Sequence, residues 1–167
     1  MRGFGCQLLG YDVVPNDECL AMGMTYVPLA ELWGRADIIT LHAPLTPETR
    51  HLVEARAVAS MKDGVMIVNT GRGALIDTPA VIAGLKSGRV GYLGLDVYEE
   101  EEALFFEDSS SQVMQDDVFA RLLTFPNVIV TGHQGFFTRE ALEAIAGTTL
   151  ANVSAFERGE RSGTELY

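Results

Sequence analysis

A chain of 167 residues, 47% of them hydrophobic, is ample for one packed domain and short for two. Its apolar runs are strand-sized, far below the ~20 residues that cross a bilayer, and Met1–Gly5 lacks signal-peptide architecture. A net charge of −11 argues against a nucleic-acid partner, which needs a basic stripe; the two cysteines, Cys6 and Cys19, make no disulfide or metal framework, and a reducing cytoplasm fits best.

Along the chain, short apolar runs alternate with amphipathic segments. Cys6–Tyr11 reads as a strand with Cys6 a small buried hydrophobe, Pro15–Met22 as a short helix and Met24–Val27 as a brief strand. Pro28–Gly34 is a helix opened by proline, Asp37–His42 a buried strand and Ala43–Arg50 a proline-punctuated loop. Glu54–Ser60 is helical, Gly64–Asn69 a strand, and Thr78–Lys86 a helix with Asp77 as cap. Gly91–Asp96 is a strand, Asp116–Leu123 a helix, Asn127–Thr131 a strand and Arg139–Glu157 the longest helix. Glu99–Gln115 is the one long stretch without clear periodicity, a pattern usual for functional or mobile loops.

Strands separated by helix-length segments predict parallel pairing and an open α/β sheet. Near-continuously apolar strands predict that both faces are covered. Ligands of such sheets sit beyond the carboxyl ends of the strands, so the residues following each strand matter. Here they are Asp12, then His42-Ala43-Pro44, Asn69-Thr70-Gly71-Arg72-Gly73, Asp96-Val97-Tyr98-Glu99 and Thr131-Gly132-His133-Gln134. Arginine's planar fork grips a carboxylate in two places, and the glycines flanking Arg72 let the backbone approach a ligand closely. Histidine gives or takes a proton near neutral pH, and a carboxylate beside it orients the ring and favours its charged form. The set suits a small 2-keto acid undergoing reduction. Singly, Arg72 and His133 also fit a solvated loop charge and a structural histidine; His42 and His51 read as structural.

Asp12 ends a strand as the ribose-binding acid of dinucleotide sites does, and no Lys or Arg follows it closely, which favours NAD over NADP. The matching glycine fingerprint belongs about 20 residues earlier, before Met1, and no GxGxxG occurs anywhere. Either Asp12 is an exposed turn residue, or the first strand and its phosphate loop are missing from the sheet.

Six stretches, "RGFGCQLLGYD", "ADIITLHAPLTPETRHLV", "MKDGVMIVNTGRGALID", "GYLGLDVYEEE", "LFFEDSSSQVMQDDVF" and "PNVIVTGHQGFFTREAL", resemble the D-isomer-specific 2-hydroxyacid dehydrogenases, with "LFFED" and "QDDVF" nearest the bacterial fermentative D-lactate branch. The resemblance covers essentially the whole chain. It implies a Rossmann-like, doubly wound parallel α/β sheet that is incomplete, lacking its first strand and glycine loop. Residues 1–138 are then a partial NAD-binding domain, and 139–167 a helix and tail that return to a missing substrate domain. Arg72 binds the substrate carboxylate and polarises its keto group, His133 exchanges the proton, and Glu99 pairs with His133. Asp12, Ala43, Pro44, Thr49, Thr70, Gly71, Arg72 and Asp96 contact NAD, Phe136 sits near the substrate's methyl group, and no metal is needed. Gly71 departs from the serine usual before this arginine, and Thr49 from a common asparagine.

The implied substrates are pyruvate and D-lactate, with a homo-oligomer when full length and no membrane or nucleic-acid partner. The rivals are a dehydrogenase of another D-2-hydroxy acid, and a non-catalytic NAD-responsive interaction module. Without its first strand the sheet is expected to leave Cys6–Tyr11 and Asp37–His42 with no partner bridging them to Gly64–Asn69, so that the parts close the gap by direct pairing, exchange strands in an oligomer or stay partly disordered.

Overall fold

A computed structural model describes residues 1–101 and 116–163. Most of the aperiodic Glu99–Gln115 stretch, with "LFFED", lies outside the described residues. By its contacts the chain divides into two compact units, Met1–Gly132 and His133–Tyr167.

In the first unit a two-stranded parallel sheet pairs β1 (Leu9–Gly10) with β2 (Thr25–Tyr26). A second sheet orders β3 (Ile38–Leu41), β4 (Val65–Asn69), β5 (Val90–Leu95) and β6 (Val128–Val130), all parallel. The helices between them are α1 (Asp17–Ala21), α2 (Leu29–Arg35), α3 (Ala55–Ser60), α4 (Thr78–Ser87) and α5 (Asp117–Leu123). Every expected strand and helix is present within a few residues. At Asp37–His42 the gap is closed by direct pairing, the first of the expected outcomes, with β3 alongside β4 over its whole length. Only β1 and β2 stand in a separate sheet. That separation also corrects Cys6, which is exposed, outside the paired segment of β1.

Three of these helices begin where a side chain satisfies their first amides. Asn16 caps α1 by accepting from Glu18 N and Cys19 N, Asp77 caps α4 from Ala80 N, and Asp116 caps α5 from Val118 N and Phe119 N at 2.9 Å each. α2 packs on α3, α3 on α4 and α4 on α5, forming one layer. Gly84 sets how closely α4 lies, since a Cβ there would meet Val58 Cγ1 and Val90 Cγ2 at 2.8 Å.

This layer covers one face of the larger sheet. Ile39, Leu41, Val65, Ile67, Val90, Leu93 and Leu95 point into it and join Trp33, Val58, Val81, Leu85, Phe119 and Leu122 in the core. Each fully buried aliphatic side chain there is worth about 1.5–3 kcal/mol. The alternate residues are less covered: Ile38, Tyr92 and Ile129 are exposed. Among the described residues of this unit the helices cover a single face, where two were expected, because the apolar residues of the strands fall on both sides while these helices occupy one.

Beyond β5, Tyr98 is buried and tilts against Phe119 at 4.9 Å, and its hydroxyl donates to Asp116 Oδ2 at 2.7 Å. One carboxylate therefore caps α5 and ties it to the β5 end. Burial, and then the Asp116 carboxylate, push the Tyr98 phenol well above the ordinary tyrosine range.

In the second unit, α6 (Arg139–Glu157) has the bounds read from sequence and is capped by Thr138, whose hydroxyl accepts from Ala141 N at 3.2 Å. It buries only Ala155 and leaves Ile145, Leu150 and Phe156 exposed.

Tyr98→Phe should destabilise the chain by about 1 kcal/mol at neutral pH in urea unfolding, the net worth of a hydrogen bond to a charged group in a partly wet site. The folded phenol keeps its proton after the unfolded one has lost it. The wild-type advantage should therefore be full below about pH 10 and decline above it.

Candidate active site

Register places the site. Leu41, Asn69, Leu95 and Val130 form one row across β3–β6. The residues that follow them, His42, Thr70, Asp96 and Thr131, therefore leave the sheet along one edge. The polar strand ends expected to gather do so for the four strands of this sheet. Asp12 stands at the end of β1 in the other sheet, and His133 opens the second unit.

The loop carrying Arg72 is built around Asn69, which is fully buried. Its side-chain Nδ2 donates to Arg72 O at 2.9 Å, its Oδ1 accepts from Gly71 N at 3.1 Å, and its backbone O accepts from Asp96 N at 2.9 Å. A buried amide with its donors and acceptors used fixes the backbone on either side of it. Arg72 itself is exposed, with Nη1 donating to Gly71 O at 2.8 Å. The flanking glycines have different duties. A Cβ on Gly73 would sit 2.1 Å from Tyr98 C and 2.4 Å from Glu99 N, so only glycine lets the β4 loop rest on the β5 loop. At Gly71 the nearest atoms would be Leu41 O at 3.3 Å and Leu75 Cδ1 at 3.5 Å, a tight but passable fit.

The loop after β3 closes the rim. His51 N donates to Ala74 O at 2.8 Å and Val53 N to Leu75 O at 3.0 Å, joining it to the Arg72 loop. Glu99, the carboxylate expected to serve His133, is held within the first unit: His51 Nε2 lies 3.0 and 3.2 Å from its two oxygens, and Arg50 Nη2 donates to Oε1. Arg50 and His51 were not read as site residues, and no local pattern marks them as Glu99's partners. Glu101, on the same turn, accepts from Tyr98 N at 2.9 Å through Oε2.

Most of the expected dinucleotide contacts face outward. Asp12 is exposed and its Oδ1 accepts from Val13 N at 2.7 Å, a turn that fixes the carboxylate's direction. Pro44 and Thr70 are exposed, and Ala43 and Gly71 half-buried. Asp96 Oδ1 accepts from the Thr131 hydroxyl. Thr49 is turned inward: its Oγ1 donates to Pro44 O at 2.6 Å and accepts from Thr46 N at 2.8 Å, so it shapes the loop rather than offering its hydroxyl. The donor set fits the two ends of a dinucleotide, with Asp12 for a ribose and Asp96 and the Arg72 loop for a nicotinamide. It includes no glycine-rich phosphate cradle among the described residues. In the second unit His133 adopts a left-handed backbone, φ 51°, and Phe136 is exposed with its ring edge-on to Phe137.

Residues 1–135 match the family model described as the D-isomer specific 2-hydroxyacid dehydrogenase NAD binding domain. The chain is 53% identical to the D-lactate dehydrogenase of Escherichia coli over 99% of its own length and 50% of the relative's. It is 46% identical to the aromatic 2-oxoacid reductase of Clostridium sporogenes, over 93% of its length and 47% of the relative's. Among solved structures, a D-lactate dehydrogenase of Treponema pallidum superposes with a TM-score of 0.93 at 37% identity, covering 99% of this chain and 50% of the other. That of Aquifex aeolicus, complexed with NAD and lactic acid, superposes at 0.87 and 36% identity, covering 95% and 48%. The chain spans about half the length of the curated relatives it matches.

The two glycines should separate sharply on substitution. Gly73→Ala must push the Tyr98–Glu99 backbone aside and should cost about 3 kcal/mol in urea unfolding. Gly71→Ser should stay within about 1 kcal/mol of wild type, since the side chain meets only ordinary or slightly tight contacts.

Proposed function

Because the chain belongs to the D-isomer-specific 2-hydroxyacid dehydrogenases through their NAD-binding domain, we propose that it carries the proton-transfer and cofactor-binding chemistry of an NAD-dependent D-lactate dehydrogenase. The observation that supports this most is the Arg72 loop. A buried asparagine and a close-packed glycine hold an exposed guanidinium at the sheet edge where α/β folds take their ligands.

In this reading Arg72 takes the pyruvate carboxylate in a two-pronged grip and polarises the keto oxygen. His133 gives its proton to that oxygen, and in the reverse direction takes it from lactate. Asp12, Ala43, Pro44, Thr70, Gly71 and Asp96 hold NAD, Thr49 keeps the Pro44 loop in shape, and Phe136 lies by the substrate methyl. NADH, when bound, supplies the hydride. A carboxylate of the turn after β5 orients His133. Glu99 is the expected one, and Glu101 its rival now that Arg50 and His51 hold Glu99. Glu99→Gln and Glu101→Gln separate them, since the one serving His133 moves the pH–rate profile. The cytoplasm and a homo-oligomeric assembly belong to the same reading.

A second reading is reduction of a bulkier 2-keto acid. It draws support from the likeness to an aromatic 2-oxoacid reductase and from the exposed Phe136. Comparing kcat/KM for pyruvate and phenylpyruvate in the full-length protein decides between them.

Arg72→Lys, assayed with pyruvate and NADH in the full-length protein, should lower kcat/KM about a hundredfold or more, because a point charge cannot keep both prongs. His133→Asn should cost about 10²–10⁴ in rate, the range of general acid–base catalysis. Unchanged kinetics in either variant removes that residue from the site. The 167 residues by themselves should not bind NADH at micromolar concentration, since their sequence holds no GxGxxG loop to cradle the pyrophosphate. Saturable micromolar binding in a fluorescence titration contradicts this.

A further inference from the structure

Three contacts meet at Tyr98, where β5 gives way to the acidic turn. Its ring is buried and tilts against Phe119 of α5. Its hydroxyl donates to Asp116 Oδ2 at 2.7 Å, across 18 residues of sequence. Its backbone N donates to Glu101 Oε2 at 2.9 Å. The phenol is thus fastened to α5 while the peptide of the same residue holds one of the turn's carboxylates.

The surroundings of Tyr98 leave it little freedom. Asp116 is committed at both oxygens: Oδ1 takes Val118 N and Phe119 N as the cap of α5, so Oδ2 meets the phenol in a fixed direction. Burial opposes loss of the phenolic proton, and so do the negative charges of Asp116, Glu100 and Glu99. The hydroxyl therefore remains a donor throughout the neutral range. On the other side the Tyr98 carbonyl carbon lies where a Cβ on Gly73 would come within 2.1 Å, so the residue cannot shift toward the Arg72 loop.

We propose that Tyr98 and Asp116 form a positioning pair that sets the acidic turn, and with it the carboxylate that serves His133 in proton transfer. The proposal rests on the reading above in which a carboxylate of that turn orients His133. The pair acts through the Tyr98 main chain, whose N–H holds Glu101. With the hydroxyl bond broken, the turn keeps its contacts with Gly73, Arg50 and His51 but loses its fixed angle to α5. A displacement of about 1 Å is enough to weaken an oriented catalytic contact.

The test is steady-state kinetics of the full-length protein with pyruvate and NADH across a range of pH. Tyr98→Phe removes only the hydroxyl, and Asp116→Ser keeps a cap for α5 but is too short to reach the phenol. Each should lower kcat about tenfold, with the KM for NADH unmoved. Each should also bring the alkaline limb of pyruvate reduction down by about half a pH unit, because a histidine less firmly faced by a carboxylate gives up its proton sooner. The double variant should be no worse than the worse single one, since both break one interaction. Asp77→Ala removes the cap of α4, a comparable loss of stability in another helix, and should leave kcat and the alkaline limb as in wild type. An unmoved alkaline limb in Tyr98→Phe overturns the proposal. So does an Asp77→Ala variant that reproduces the shift, which makes the effect one of general stability. His133→Asn, run alongside, keeps the two ideas apart: if it leaves pyruvate reduction unchanged, the proton-transfer reading has failed and the pair's role with it; if it is crippled while Tyr98→Phe behaves as wild type, only the positioning pair has failed.

Discussion

The side chain of Asn69 is the constraint on which the rest of the rim depends. It is fully buried at the end of β4, where a polar group survives only if its hydrogen bonds are made. It makes them to the loop that follows it, to Gly71 N and Arg72 O, while its backbone O receives Asp96 N from the neighbouring strand. A strand end thus dictates the path of the next three residues. The arginine on so bare a loop is explained by that support: the glycines leave the loop thin, and the buried amide keeps it from collapsing.

From this point the architecture spreads by register. The row Leu41–Asn69–Leu95–Val130 brings four loops to one edge, and the absence of a Cβ at Gly73 lets two of them touch. Thr49 tightens the β3 loop against Pro44, Thr131 meets Asp96, and Tyr98 carries the order outward to α5 through Asp116. The core below is a single layer of helices on a single face of the sheet, which is enough to hold the strands in line.

Much of this was legible in the residues. The apolar runs located the strands, Asp77 announced the start of α4, and Arg139–Glu157 matched its helix at both ends, because local pattern and capping chemistry decide these features. Arg72 was legible as a candidate from its position after a strand and between glycines. What failed did so for non-local reasons. Cys6 looked buried because it opens an apolar run, yet its exposure depends on what packs against that run. The strands looked covered on both faces because composition does not say where helices lie. Glu99 was legible as an acid at a strand end, but its partners Arg50 and His51 are 49 and 48 residues away, and no spacing rule connects them. Asn69 itself was read only as part of a strand end, since burial of a single amide is a consequence of the finished fold.

The rim is part of the folded core rather than a set of surface loops. Native-state hydrogen exchange on the 167-residue chain measures this directly. The amides of Gly71, Asp96, His51 and Val53 should exchange within about tenfold of Ile67 and Leu93 in β4 and β5, because opening them requires breaking the Asn69 and His51 contacts along with the sheet. Exchange of those four amides near the rate of an unstructured peptide, while Ile67 and Leu93 stay protected, would contradict the account.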